Sequence, residues 1–281
     1  MMQLGIHVGT FSRPTFDEIL DAVVGHGFEC VHFNFKALGM PSMPERVDEE
    51  TCRRVAVAVA GRGLSMGTVS GTFNMIHPDP AVRRTGLARL EVMARSAALL
   101  GTKVVTLCTG TRDPHDMWRR HPHNDRPAAW FDLVETLTAA LALAQQYDIT
   151  LAVEPEVSNV VDTAAKARRL LDEMGSPRLK IIMDGANLFH SGGLARMDEI
   201  LGKAFELLGP DIVLGHAKDL DRDGEAGQIA AGRGLLDYDC YLRLFKSVGF
   251  DGPLIMHSLD ESEVAASVGF LREKLAGLTS C

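Results

Sequence analysis

The sequence predicts an α/β protein built as a single (β/α)8 barrel spanning residues 1–281. Eight apolar, β-branched runs alternate with helix-like stretches from one end of the chain to the other. The length of 281 residues suits one such barrel. No Gly-rich phosphate-binding turn follows the first strand, which sets a doubly wound open sheet aside.

The strands are QLGIHVGT, FECVHFNF, LSMGTVSG, KVVTLC, ITLAVE, LKIIMD, IVLGHA and PLIMHS. Helical patterns lie between them near 15–26, 46–61, 79–99, 126–146, 162–174, 195–207 and 237–248. A last one near 261–276 follows the eighth strand. No internal repeat, low-complexity tract or linker interrupts the series. The longest irregular stretches, 109–127 and 218–236, follow barrel strands on the face where active-site loops sit. These two, and a Pro- and Met-rich segment near 36–45, are candidate lids.

Bulk composition narrows the class. Hydrophobic residues make up 46% of the chain, enough for a large core, and the net charge is −8. That balance argues against a nucleic-acid partner, whose phosphates need clustered Lys and Arg. The cysteines Cys30, Cys52, Cys108, Cys240 and Cys281 form no CxxC pair, and no secretory signal is visible. Reduced thiols in a cytoplasmic protein are therefore expected. No segment reads as a membrane-spanning run of roughly 18 apolar residues.

The chemistry concentrates at four strand ends. TLAVE, KIIMD, IVLGH and PLIMH finish on Glu154, Asp184, His216 and His257, spaced by 30, 32 and 41 residues. Each spacing is that of one strand–helix–strand unit. The C-terminal ends of successive parallel strands converge on one mouth of a barrel. Strand alternation pairs Ala152 with Glu154, Ile182 with Asp184, Leu214 with His216 and Ile255 with His257 on the inward face. Small residues at Ala152 and Gly215 are expected in a crowded interior near the mouth. Two carboxylates with two imidazoles and no thiolate suit Mn²⁺, Mg²⁺, Co²⁺, Fe²⁺ or Zn²⁺.

Neighbouring residues extend the site. Glu156, two past Glu154 across Pro155, is a supporting carboxylate, a base or a salt-bridging loop residue. Asn187, in DGAN, orients a ligand, touches substrate or caps a turn. Lys218 shares its parity with His216, so its ammonium can reach the mouth, where a cation stabilises an enolate or binds phosphate; the alternative is pairing with Asp219 or the next loop. In the 109–127 loop, Arg112, Trp118, His121 and Asn124 are candidates for a substrate pocket, and Trp118 serves equally as a lid anchor. Trp118 or Trp130 could also sit in a homo-oligomer contact. His77 and His7 read as mouth residues. Arg233, in GRG, reads as an anion site or an ordinary turn, and Arg112 with Arg233 would form a phosphate cluster. No GxSxG elbow, GxxxxGK[ST] loop or HExxH helix occurs.

Taken together, LAVEPE, DGAN, HAKD and a GxGxxD element (Gly232, Gly234, Asp237) resemble the sugar phosphate isomerase/epimerase family. This is a xylose isomerase-like (AP endonuclease family 2-like) TIM barrel, and the resemblance covers essentially the whole chain. It implies one divalent metal, most often Mn²⁺, and a small polyhydroxy carbonyl substrate handled through a metal-stabilised enediolate. By resemblance Glu154, Asp184 and His216 take three metal places, and Glu154, Glu156, Lys218 and His257 are the catalytic candidates. The fourth metal place departs: the family has a Glu after the eighth strand, and this chain has His257. An epimerase needs acid–base groups on both faces of the substrate, and histidine can serve as one. A metal-dependent lyase or dehydratase on a cyclic polyol or hydroxy-keto acid, and a non-catalytic sugar-binding barrel, are the alternatives. The related abasic-site endonuclease would need further ligands, for which His7, His32, His77 and His190 are available.

Overall fold

A computed structural model describes residues 2–279, so Cys281 lies outside the described residues. Strands β1 (Gln3–His7), β2 (Cys30–Phe33), β3 (Ser65–Ser70), β4 (Val104–Cys108), β5 (Thr150–Glu154), β6 (Leu179–Asp184) and β7 (Ile212–Asp219) form one parallel sheet with β9 (Pro253–Met256). The order runs from β1 to β7 and on to β9, which pairs back onto β1, so the sheet closes. All eight sequence-predicted strands are present. The addition is β8 (Ile229–Ala230), a two-residue strand that pairs antiparallel with the extended end of β7 inside the 218–236 loop.

The outer layer is α1 (Phe16–Gly25), α2 (Glu49–Ala60), α3 (Pro80–Leu100), α4 (Pro127–Gln146), α5 (Ala164–Met174), α6 (Met197–Leu208), α7 (Tyr238–Ser247) and α8 (Glu261–Thr279). Polar N-caps start most of them. Thr15 and Glu18 form a reciprocal capping box on α1, and Asp48, Asp79, Thr163 and Asp237 each accept from a first-turn amide. By length and composition, α4 could cross a membrane, which corrects the sequence reading that no segment approaches such a run. Its Leu133, Leu137 and Ala140 nevertheless belong to the buried core.

Two cores flank the sheet. The large one lies between strands and helices. The small one fills the barrel and consists of Cys30, Ala152, Ile182, Leu214 and Ile255. Strand alternation therefore placed the inner residues correctly, with one exception. A Cβ on Gly215 would stand 2.7 Å from Phe245 Cζ on α7, so this glycine faces outward and admits the helix rather than relieving the interior. It has the opposite parity to Leu214 and His216, so an outward position follows from the pleat itself.

Candidate metal centre

The inward alternation that buries Ile182, Leu214 and Ile255 carries Asp184, His216 and His257 to the mouth. Asp184 and His216 stand opposite each other in the β6–β7 register, and His216 stands opposite Ile255 in β7–β9. Ligand-type atoms of Asp184, His216 and His257, one from each, lie within 4.8 Å of one another. His216 Nδ1 is 3.3 Å from Glu154 Oε1 and 3.4 Å from Asp184 Oδ2, and His257 Nε2 is 3.5 Å from Asp184 Oδ2. The two imidazole rings are 4.2 Å apart between centroids. All four predicted strand ends thus meet at one place.

The chemistry of this donor set fits a divalent cation. Asp184 Oδ2, His216 Nε2 and His257 Nε2 are buried without a hydrogen-bond partner among the described residues. Buried polar atoms are normally satisfied, and orphans gathered at one point call for an explanation such as an ion. Asp184 is fully buried and Glu156 is 4% exposed. With Glu154 they make three carboxylates against one buried ammonium, Lys218, whose Nζ is 3.3 Å from Asp184 Oδ2. If both imidazoles ligate as neutral rings and all three carboxyl groups are ionised, the shortfall is two positive charges, that of one divalent ion.

The titration behaviour shows the same frustration. Burial works against a charged His216, but Glu154 and Asp184 outweigh it and push the imidazole up to about 9. His257 goes the other way, to about 3, through burial and the neighbouring His216. Burial and Glu154 push Glu156 up to about 7. Burial opposes ionisation of Asp184, yet Lys218, His216 and His257 hold its carboxyl well below the usual range.

Surrounding contacts fix the ligands. Asn187 Nδ2 donates to Glu154 Oε1 at 2.6 Å, the ligand-orienting alternative named from sequence. The Tyr241 hydroxyl, from α7, lies 2.8 Å from Met183 O and 3.0 Å from His216 O, and accepts from Gly185 N at 3.1 Å. It ties the ends of β6 and β7 together under the site. His257 Nδ1 is 3.1 Å from Ser258 Oγ, and Ser258 holds a left-handed φ of 57°. Lys218 does not pair with Asp219. Instead the Asp219 carboxylate accepts from the amides of Leu220, Gly232 and Leu236. A Cβ on Gly234 would stand 2.3 Å from Leu220 O, so that glycine admits the turn. Together with the α7 cap at Asp237, this gives the GxGxxD element its physical role: it folds the 220–236 loop.

A cavity of about 690 Å³ opens above the centre. Glu154, Glu156, His216, Lys218 and His257 lie in its walls, and Met117 and Trp118 line it from the 109–127 loop. Trp118 is 54% exposed, whereas Trp130 is held on the outside by Glu173 and Arg169.

Several predicted pocket residues lie elsewhere. Arg112 donates to Ile76 O and Ala128 O and pairs with Asp132 at 2.6 Å, stitching two loops together. Asn124 is buried in that loop, accepting from Arg112 N and donating to Ser158 O. His121 Nδ1 caps its own short helix at His123 N, and His77 contacts Pro114 O and Asp79 N. Arg233 sits on an exposed turn outside the cavity wall, so no Arg112–Arg233 cluster forms. Arg112, His121, His77 and Arg233 thus lie outside the wall of the cavity over the centre. For Arg112, His121 and His77, backbone carbonyls and amides hold the polar side chain. His190 likewise turns to Asp162 O.

Sequence reasoning undervalued His7 and His32. Both line the cavity, with ring centroids 4.9 Å apart, and His32 Nε2 is 2.9 Å from Ser70 Oγ. The signal was available: each sits at the end of an inward-facing run, as the four candidate ligands do. Asn34, Lys36 and Ser42 had no comparable pattern.

A family model described as xylose isomerase-like TIM barrel matches residues 20–274. Among solved structures, the chain is similar to 3-keto-D-glucoside 4-epimerase from E. coli, with 18% identity, TM-score 0.74 and full coverage of both chains. It is similar to a D-tagatose 3-epimerase-like protein, with 16% identity, TM-score 0.77 and 99% coverage of each. It is also similar to the IolI protein, solved with a bound zinc atom, with 16% identity, TM-score 0.73 and coverage of 99% of this chain and 98% of that one. At these identities the structures attest the shared fold, and the matched span extends over most of the sequence: the chain belongs to the xylose isomerase-like TIM barrel family.

Proposed function

We propose that this protein is a divalent-metal-dependent isomerase or epimerase of a small polyhydroxy carbonyl compound. The observation that carries the reading is the meeting of Asp184, His216 and His257 within 4.8 Å, beside Glu154 and under a cavity. Related folds named as epimerases of tagatose and of a keto-glucoside support the substrate class. Mn²⁺ leads among the ions, and Zn²⁺ is the one held by a related structure. The free thiols Cys30, Cys52, Cys108 and Cys240 suit a reducing cytoplasm.

Glu154, Asp184, His216 and His257 would hold the ion. When bound, it polarises the substrate carbonyl and stabilises negative charge on its oxygens. Glu154 and Glu156 at the end of β5 present carboxylates that can take a proton from the carbon beside the carbonyl. Asn187 fixes which Glu154 oxygen is free for that work. His257 enters from β9, with β6 and β7 between it and β5, so an imidazole left free of the ion could return a proton from a different direction. Lys218, buried against Asp184, supplies positive charge below the reacting atoms. Trp118 offers an aromatic face at the mouth.

A metal-dependent lyase is the second reading, favoured by one observation: His257 stands where a second acid–base carboxylate would be. Incubating a metal-loaded sample in D₂O with D-fructose or D-tagatose, and separately with a cyclic polyol, tests both. Deuterium entering beside the carbonyl together with a new epimer or aldose supports the isomerase reading. Loss of water from a cyclic polyol supports the lyase. Neither exchange nor water loss with any ketose or polyol overturns the enzymatic reading.

A further inference from the structure

A second cleft, of about 920 Å³, adjoins the metal cavity and shares His7, Asn34 and Lys36 with it. Its charged lining residues are Arg13, Lys36 and Arg54, and no Asp or Glu lines it. In a chain of net charge −8 that is an inversion of sign. Arg13 is neutralised by Glu261. Neither Lys36 nor Arg54 makes an ion pair among the described residues: Arg54 reaches Thr51 Oγ1 at 3.3 Å and feels the Asp48 carboxylate beyond it, and Lys36 has no acidic partner.

Lys36 is set apart from the other lysines. The chain has eight, and the other seven each hold a carboxylate or a carbonyl. Lys36 is exposed, and its Nζ has no hydrogen-bond or ion-pair partner among the described residues. Its backbone is nonetheless held firmly. Asn34 Oδ1 accepts from Lys36 N at 3.0 Å, Asn34 Nδ2 donates to Ser42 Oγ at 2.8 Å, and Gly39 ends the short helix Phe35–Leu38 with φ 70°. A fixed backbone thus carries a free ammonium to the boundary between the two cavities.

We propose that this cleft is an anion subsite: the substrate places its carbonyl end over the metal centre and an acidic group, phosphate or carboxylate, between Lys36 and Arg54. The subsite rests on the sugar reading above and narrows its substrate to an anionic sugar derivative. A guanidinium and an ammonium together favour such a group through charge-assisted hydrogen bonds. The attraction is partly exposed, so it weakens as salt rises.

Calorimetric binding to metal-loaded protein provides the test, with D-fructose, D-fructose 6-phosphate and 5-keto-D-gluconate as probes. The wild type should prefer at least one anionic probe over D-fructose by about tenfold or more, and whichever is preferred identifies the acidic group. In the Lys36→Met/Arg54→Gln double variant that ratio should fall to near one, and Lys36→Arg should restore much of it. Equal affinity for all three probes, or a preference that survives the double variant, overturns the subsite and leaves the sugar reading standing. Binding of none of the three overturns both.

Discussion

His257 Nε2 lies 3.5 Å from Asp184 Oδ2, and neither atom has a hydrogen-bond partner among the described residues. A neutral imidazole nitrogen and a carboxylate oxygen left in that relationship gain little from each other and much from a shared cation.

If His257 is a ligand, removing it should cost metal affinity more than it costs the fold. His257→Ala should weaken divalent-ion binding by at least about tenfold, the lower end of what even ligand-orienting residues contribute. His257→Glu should keep the ion. Without metal, however, that variant should be less stable than wild type, because a fourth carboxylate joins Glu154, Glu156 and Asp184. Competition with a chelating dye and thermal unfolding with and without EDTA check the two halves.

Tyr241 acts from behind the site. Its hydroxyl serves Met183 O, His216 O and Gly185 N at the ends of β6 and β7. Tyr241→Phe leaves buried backbone groups unsatisfied and should cost about 1–3 kcal/mol in denaturant unfolding. It should also lower metal affinity, since Asp184 and His216 project from the two strands it ties. A loss of stability with unchanged metal binding would show that the strand ends hold their positions without it.

The barrel mouth should also be acid-sensitive through His7. Burial, then His216 and Lys36, depress its imidazole from 6.5 to about 4, and the His32 ring packs against it. The unfolded chain therefore takes up a proton near pH 6.5 that the folded chain refuses until about pH 4. The stability associated with a neutral His7 is complete above 6.5 and is lost as pH falls toward 4. The shift corresponds to roughly 3 kcal/mol. His7→Asn should reduce the slope of the stability curve between pH 6.5 and 4, leaving the part due to His32 and His257, read by urea unfolding at fixed ionic strength. An unchanged slope would place the acid sensitivity elsewhere.

The sequence made the fold and the candidate metal-ligand positions legible for one reason: a period of two has only two answers. Once Ile182, Leu214 and Ile255 point inward, Asp184, His216 and His257 must follow. The same rule would have turned Gly215 outward and raised His7 and His32. Loop residues obey no such period. Arg112, His121 and His77 have the right chemistry on the right face of the barrel, yet their side chains satisfy carbonyls and amides of their own and neighbouring segments. Lys36 is the reverse case, an ordinary lysine by pattern whose importance comes from the contacts it lacks. The GxGxxD element was visible as a motif, but its physical work is done by Asp219, which gathers three loop amides and leaves Lys218 to Asp184.

Metal content of the purified protein tests the centre most directly. Elemental analysis after loading with Mn²⁺ or Zn²⁺ and removal of the excess should find one divalent ion per chain. Asp184→Asn and His216→Ala should retain far less than one while remaining folded by circular dichroism. A wild-type protein that holds no divalent ion, or variants that hold it as well as wild type, would contradict the assignment of Glu154, Asp184, His216 and His257 as a metal centre.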